Sequence, residues 1–286
     1  MTDLLDDLIR SEALAIAPPG EVFWYTSGTL GPYYIRTHYL CGGPARAEEV
    51  LAFIDGQARA ADFHARLQAR LGAILAADAG YRRVVADLAE AIERREAGGR
   101  CCDWISGGER RDWFFSLPVA EALGRPHLYI YKDGAAVLAA GSAPGPVDAL
   151  HGRRTAHVAD LVTEASSYTR AWIPALRERG GNMAVSANVV DRAQGGMDAL
   201  RAAGVDALAL LRVDEGLFAD LFDRGLVDLD QHALLVAYFR DPTTAMRLFL
   251  LDHPAFLESA LASTDAKTVQ RARMLVGRDP YGLHAS

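Results

Sequence analysis

Between residues 103 and 213 the chain alternates apolar runs of strand length with amphipathic runs of helix length, and few folds accommodate that rhythm. "DWISGG" (103–108), "HLYIYK" (127–132), "TAHVADLV" (155–162), "NMAVSANVVD" (182–191) and "VDALALLRV" (205–213) read as strands. "SLPVAEALG" (116–124), "YTRAWIPALRERGG" (168–181) and "MDALRAAG" (197–204) read as the helices between them, each closed by glycine. Alternation of this kind predicts an α/β fold: a largely five-stranded parallel sheet, right-handed crossovers, and helices on both faces. Ligands of such sheets bind outside the carboxyl ends of the strands. "DGAAVLAAGSAPGPVDALHG" (133–152) reads as a long connection rich in Gly, Pro and Ala.

The flanks are different. Residues 3–16 read as an amphipathic helix, stopped by Pro18–Pro19–Gly20. "FWYTSGTLGPYYIR" (23–36) suggests two short extended pieces joined by a turn. From 44 to 97, and again after Asp214, apolar residues recur at helical intervals. The formal net charge of −7 argues against a nucleic-acid partner, which needs clustered Lys and Arg, but leaves room for a small phosphorylated ligand in a locally positive pocket. Cys41, Cys101 and Cys102 are too few for a disulfide framework and lack zinc spacing, so reduced thiols are expected. The acidic, amphipathic start is not that of a secretory signal, and no apolar run reaches membrane-helix length. A cytoplasmic protein with no membrane partner is expected.

Two strand ends carry chemistry. After "HVADLV" come Thr163, Glu164, Ala165, Ser166 and Ser167. Small hydroxyl residues at a helix start suit an anion, because first-turn amides have no partner and the helix dipole is positive there. A carboxylate just before, Asp160, suits ribose hydroxyls or a solvated Mg²⁺. The same hydroxyls would also serve as plain N-caps. After the strand ending Ser106–Gly107–Gly108 come Glu109, Arg110 and Arg111. Glycines admit close backbone approach, and guanidinium groups fork onto phosphate oxygens. Cations at a helix start oppose the dipole, so two arginines there expect an anionic partner. The rival reading is a solvated pair salt-bridged to Glu109 or Asp112.

The hydroxyl turn resembles the phosphoribosyl-pyrophosphate (PRPP) motif of type I phosphoribosyltransferases. Asp160, Thr163 and Ser167 fall on motif positions, while Ala159 replaces the first acid and Glu164 a usual Thr. Three further stretches resemble the orotate phosphoribosyltransferases. They are "FWYTSGTLGPYYIR", "ISGGERRDWFFSLPVAEALGRPHLYIYKD" and "NVVDRAQGGMDALRAAGVDALALLRVDE". The resemblance covers roughly residues 1–214. It implies a type I phosphoribosyltransferase fold with an N-terminal hood (1–43), a helical insertion (44–99) and a core sheet (100–214), followed by a helical extension (215–286). It implies transfer of the phosphoribosyl group of PRPP, carried with Mg²⁺, to a pyrimidine base, most simply orotate, with release of pyrophosphate.

The roles that follow from the resemblance are specific. Lys132 and Asp160 would be catalytic. Thr163–Ser167 would hold the 5′-phosphate. Ser106, Gly107, Gly108, Arg110 and Arg111 would hold pyrophosphate. Tyr33, Tyr34, Arg36 and Arg192 would meet the base, although the two tyrosines would equally fill a core. No protein side chain is assigned to a metal. A homodimer is expected, since the family's catalytic loop closes over a neighbouring subunit. Here the loop, 133–152, holds no Lys or Arg, and its one histidine is His151. That loss keeps open a PRPP- or nucleotide-binding regulator without turnover, or an enzyme for another base.

Overall fold

The computed structural model describes residues 2–96, 99, 101–140 and 144–283. The chain forms two compact units, Met1–Ala13 with Arg36–Val213, and Leu14–Ile35 with Asp214–Ser286. Residues 14–35, expected as part of a hood on the first domain, thus group with the C-terminal helices.

The first unit is built on a seven-stranded sheet. Across it run Asp206–Arg212, Asn182–Asp191, Arg154–Val162, Trp104–Gly108, His127–Ile130, Ala136–Ala139 and Gly145–Pro146. The first five are mutually parallel, and the last two add antiparallel at one edge. Those two edge strands lie in the stretch expected to be an irregular loop. All four residues of 136–139 pair with 127–130, so Tyr131–Gly134 makes a turn rather than the root of a long loop. Residues 141–143 of that stretch lie outside the described residues.

Arg154–Val162 and Asn182–Asp191 are buried along almost their whole length, which is why they read as continuous apolar runs. From Trp104–Gly108 the chain moves outward in one direction to His127–Ile130. It later returns to Arg154–Val162 on the other side and moves on in the opposite direction. The order therefore reverses between Trp104–Gly108 and Arg154–Val162, whose carboxyl ends flank the crevice where ligands of such sheets sit.

Helices cover the sheet. Trp113–Ala122 is buried from Trp113 to Ala120, and the Trp113 indole donates to the Gly107 carbonyl at 2.9 Å. Pro44–Gln57, Phe63–Ala77 and Ala79–Arg95 form the helical block expected from periodicity. The expected helix over 3–16 is shorter. Thr2–Arg10 is helical, Glu12 turns left-handed at φ 58°, and Leu14–Ile16 becomes a strand of the second unit, paired with Tyr33–Ile35.

The second unit holds that pair, a second short pair (Phe23–Trp24 with Leu30–Gly31) and five helices. The helices are Glu215–Asp223, Leu229–Arg240, Pro242–Asp252, Pro254–Leu261 and Ala266–Arg278. Four start on an aspartate that accepts backbone N–H groups: Asp214, Asp228, Asp241 and Asp265. Tyr33 is buried in this unit against Phe218 and Tyr238, so of its two expected roles the structure shows the core one. Tyr34 is half-buried, edge-on to Phe23 and Tyr25.

No helix among the described residues is long and apolar enough to cross a membrane.

Candidate functional site

A cavity of about 510 Å³ opens at the carboxyl ends of Trp104–Gly108 and Arg154–Val162. One wall is Glu109–Asp112 with Lys132, and the other is Ala159–Tyr168 with Trp172. The two signals separated by about fifty residues of sequence, the arginine pair and the hydroxyl turn, therefore face one space. The hydroxyls of Thr163, Ser166 and Ser167 have no hydrogen-bond partner among the described residues, so none of them caps the helical segment that follows. The N-cap reading of these residues fails on that point. Thr169 N–H donates to the Ala165 carbonyl, so the helical segment starts at Ala165 and the next amides are first-turn amides with no intrahelical acceptor.

The turn is held from below. Ala165 takes φ 56°, a left-handed conformation that glycine adopts more easily. It is over-determined by its setting: Arg192 N–H donates to the Val162 carbonyl and Gly196 N–H to the Thr163 carbonyl, both at 2.9 Å. A Cβ on Gly196 would sit 2.5 Å from that Thr163 oxygen, so the Gly-Gly turn is a close-approach requirement. Asp191 stabilises the same turn by accepting the Ala193 N–H at 2.8 Å.

The arginines differ. Arg110 is tied to Asp55 on Pro44–Gln57, its Nη1 lying 2.9 and 3.0 Å from the two carboxylate oxygens. Arg111 is exposed and has no ion pair or hydrogen bond among the described residues. Neither salt-bridges Glu109 or Asp112, the partners of the rival reading. Glu109 instead accepts the Lys132 backbone N–H at 2.9 Å.

Ser106, Gly107 and Gly108, expected to hold pyrophosphate, stand beneath the cavity and do not line it. Their polar groups are committed inward: Ser106 Oγ to His157 Nδ1 at 3.1 Å, the Gly107 carbonyl to Trp113, and Gly108 N–H to Asp112 at 3.1 Å. A Cβ on Gly108 would collide with the Trp172 ring and lie 2.8 Å from Asp112 Oδ2. Gly108→Ala is therefore expected to cost about 1–3 kcal/mol through overpacking. Urea denaturation measures this, and an unchanged midpoint would mean that Trp172 is free to step aside.

Arg36 and Arg192, expected near the base, do not line the cavity. The Arg36 guanidinium lies over the Tyr39 ring, 5.5 Å from its centre. Tyr33 and Tyr34 belong to the second unit.

Three residues of the site escaped the sequence reading. Asp112 precedes the helix Trp113–Ala122 yet does not cap it with its side chain. Its carboxylate turns instead to the N–H groups of Gly108 (3.1 Å) and Asp160 (3.3 Å), and His157 Nε2 lies 3.4 Å away. Asp112 thereby joins the two strand ends that flank the cavity. Thr37 donates to Asp160 Oδ2 at 2.8 Å. His157 is fully buried in this network, stacked near Trp172. Burial and the adjacent Asp112 push the Asp160 carboxyl up to about 7, against the Thr37 hydrogen bond and the charge of Arg111. Burial, reinforced by Arg111, holds nearby His38 down at about 4.

No family model and no curated protein matches the sequence. Solved structures do. UMP synthase of Leishmania donovani superimposes with a TM-score of 0.56 at 18% identity, over 83% of this chain and 41% of that one. An orotate phosphoribosyltransferase of Francisella tularensis gives 0.52 at 12% identity, over 82% and 96%. The fold is that of the type I phosphoribosyltransferases. This chain spans about two fifths of the length of that UMP synthase.

Four carboxylates line the cavity: buried Asp160 accepts the Thr37 hydroxyl, half-buried Asp112 accepts two amides, Glu109 accepts the Lys132 amide, and Glu164 is exposed. Away from the cavity, Glu96, Cys101 and Cys102 come together as metal ligands do. There the Arg125 guanidinium already fills the space, its Nη1 3.0 Å from Glu96 and 2.7 Å from Cys102 Sγ, and burial pushes the Cys101 thiol up to about 12. A neutral thiol beside a guanidinium is a poor metal ligand. All three cysteines are free thiols.

Proposed function

We propose that this chain binds PRPP at the switch-point cavity and transfers its phosphoribosyl group to a ring nitrogen of a pyrimidine base, orotate in the simplest case. The observation that carries the reading is the pairing of Arg110, Arg111 and Lys132 on one wall with the unpartnered hydroxyls of Thr163, Ser166 and Ser167 on the other. PRPP presents a phosphate at one end and a pyrophosphate at the other, and the cavity sets hydroxyls on one wall and basic groups on the other, with Glu109 and Glu164 also in its lining. In this reading Thr163, Ser166, Ser167 and the first-turn amides hold the 5′-phosphate, and Asp160 faces the ribose hydroxyls.

As the bond from the sugar to pyrophosphate breaks, positive charge develops at the sugar and negative charge on the leaving group. The guanidinium groups and Lys132 would stabilise the second, and the work of the protein is positioning and electrostatics. Mg²⁺ entering with PRPP would neutralise part of the pyrophosphate charge.

A second reading, a PRPP- or nucleotide-binding protein without turnover, is favoured by one observation. Arg110 is already paired with Asp55, and the stretch after Lys132 folds onto the sheet edge as strand without adding a Lys or Arg. Incubation with PRPP, Mg²⁺ and orotate separates the readings. Release of pyrophosphate with orotidine 5′-phosphate is the expected result. Calorimetric PRPP binding with no product selects the second reading, turnover of another base redirects the first, and absence of PRPP binding removes both.

A further inference from the structure

Among the described residues every large hydrophobic side chain that is exposed lies between Phe222 and Leu261, in the second unit. Leu229, Leu248 and Leu251 are 67%, 54% and 55% exposed. Such concentration is unlike the scattered single apolar residues of an ordinary surface. It accompanies a groove of about 390 Å³ between Leu229–Arg240, Pro242–Asp252 and the segment around Ile16–Glu21. The floor is apolar: Ile16, Pro32, Leu234 and Phe249, with small Ala233 and Ala237 leaving room. Exposed Leu248 stands at its edge.

The rim is acidic. Glu21, Asp230 and Asp252 line the groove and are exposed, and none has an ion-pair partner among the described residues. No Lys or Arg lines it. His253 also lines it, its Nδ1–H donating to the Phe249 carbonyl at 2.9 Å and its ring stacked on Phe249.

We infer that this groove is a docking surface for a basic amphipathic helix of a partner protein. An apolar stripe on such a helix fills the groove and covers Leu248, while Lys or Arg beside the stripe meets the three carboxylates. A second copy of this chain fits less well. A two-fold contact through this face would set Glu21, Asp230 and Asp252 of one copy against the same acids of the other. A small apolar ligand would fill the groove and leave the leucines outside it uncovered.

The test uses the full chain and a fluorescein-labelled synthetic helix of leucine and lysine, with the leucines on one face. Fluorescence anisotropy is expected to show binding that weakens as salt rises. It should weaken at least tenfold with Leu248→Glu, and at least tenfold with the pair Asp230→Lys and Asp252→Lys. The same peptide with glutamate in place of lysine should not bind. All three substituted positions are exposed, so thermal unfolding should leave both variants near the parent. Absence of binding, or binding equal in both variants, overturns the inference. So does concentration-dependent dimerisation in sedimentation that Leu248→Glu abolishes, which would assign the face to a second copy. None of these readouts depends on phosphoribosyl transfer, so they stand or fall apart from the site in the first unit.

Discussion

Replacing both Arg110 and Arg111 by alanine is expected to weaken PRPP binding by about 2–5 kcal/mol, a loss of roughly thirtyfold or more. Charge-assisted hydrogen bonds each contribute about 1.5–3 kcal/mol, and two such groups face the cavity. The two should not contribute equally. Arg110 already satisfies part of its charge on Asp55, so a ligand must share or displace that contact. Arg111 has no competing partner and should account for the larger share of the loss. Asp55→Asn should move affinity the other way, by releasing Arg110. Isothermal titration of PRPP into the parent, the two single variants and the double variant checks the order. Equal affinity in all four would place the pyrophosphate elsewhere. Pyrophosphate alone should follow the same ranking, because the arginines are assigned to that end of the ligand.

The parts of the site written locally were legible. A strand ending in Gly-Gly before Arg-Arg, and a strand ending in Asp before a run of hydroxyls, state their chemistry within ten residues. The rule that parallel sheets bind ligands at strand ends then places both on one edge. What sequence could not state is which local group reaches across. Asp112 meets Asp160 from 48 positions away, and Thr37 meets it from 123. Each reads locally as something duller: Asp112 as an N-cap or an arginine's partner, Thr37 as one more small polar residue. The glycines of the 106–108 stretch misled for a related reason. Glycine was read as access to a ligand, whereas Gly108 is small because Trp172 and Asp112 occupy the space its Cβ would take.

Errors in the fold have the same origin. Leu14–Ile16 continues a helical pattern along the sequence, but left-handed Glu12 breaks it, and the strand exists only because Tyr33–Ile35 lies beside it. Ala136–Ala139 has no strong strand propensity and is strand because His127–Ile130 offers it a sheet edge. The grouping of residues 14–35 with 214–286 rests on contacts across some two hundred residues, such as the Leu30 N–H on the Tyr281 hydroxyl at 2.7 Å.

Asp160→Asn is expected to stabilise the protein at alkaline pH while it damages the site. Burial and the neighbouring Asp112 raise the Asp160 carboxyl from its ordinary value near 4 to about 7. Between those values the folded chain holds a proton at Asp160 that the unfolded chain has released. Stability therefore falls as pH rises through this window, and above about 7 the charged carboxylate costs roughly 2–4 kcal/mol. Asparagine removes the charge and keeps an oxygen to accept the Thr37 hydroxyl. The parent should lose melting temperature between pH 5 and pH 8 relative to the variant, and the variant should be the more stable at pH 8. A parallel pH dependence in the two proteins would show that Asp160 ionises at its ordinary value. Keeping a carboxylate where it weakens the fold makes sense only if the charge serves the ligand. The variant should accordingly bind PRPP about ten- to a hundredfold more weakly at pH 8, through loss of an acceptor for the ribose hydroxyls. Full PRPP affinity in a more stable Asp160→Asn protein would leave the buried acid without a role in the site, and the ribose would have to be held by other groups.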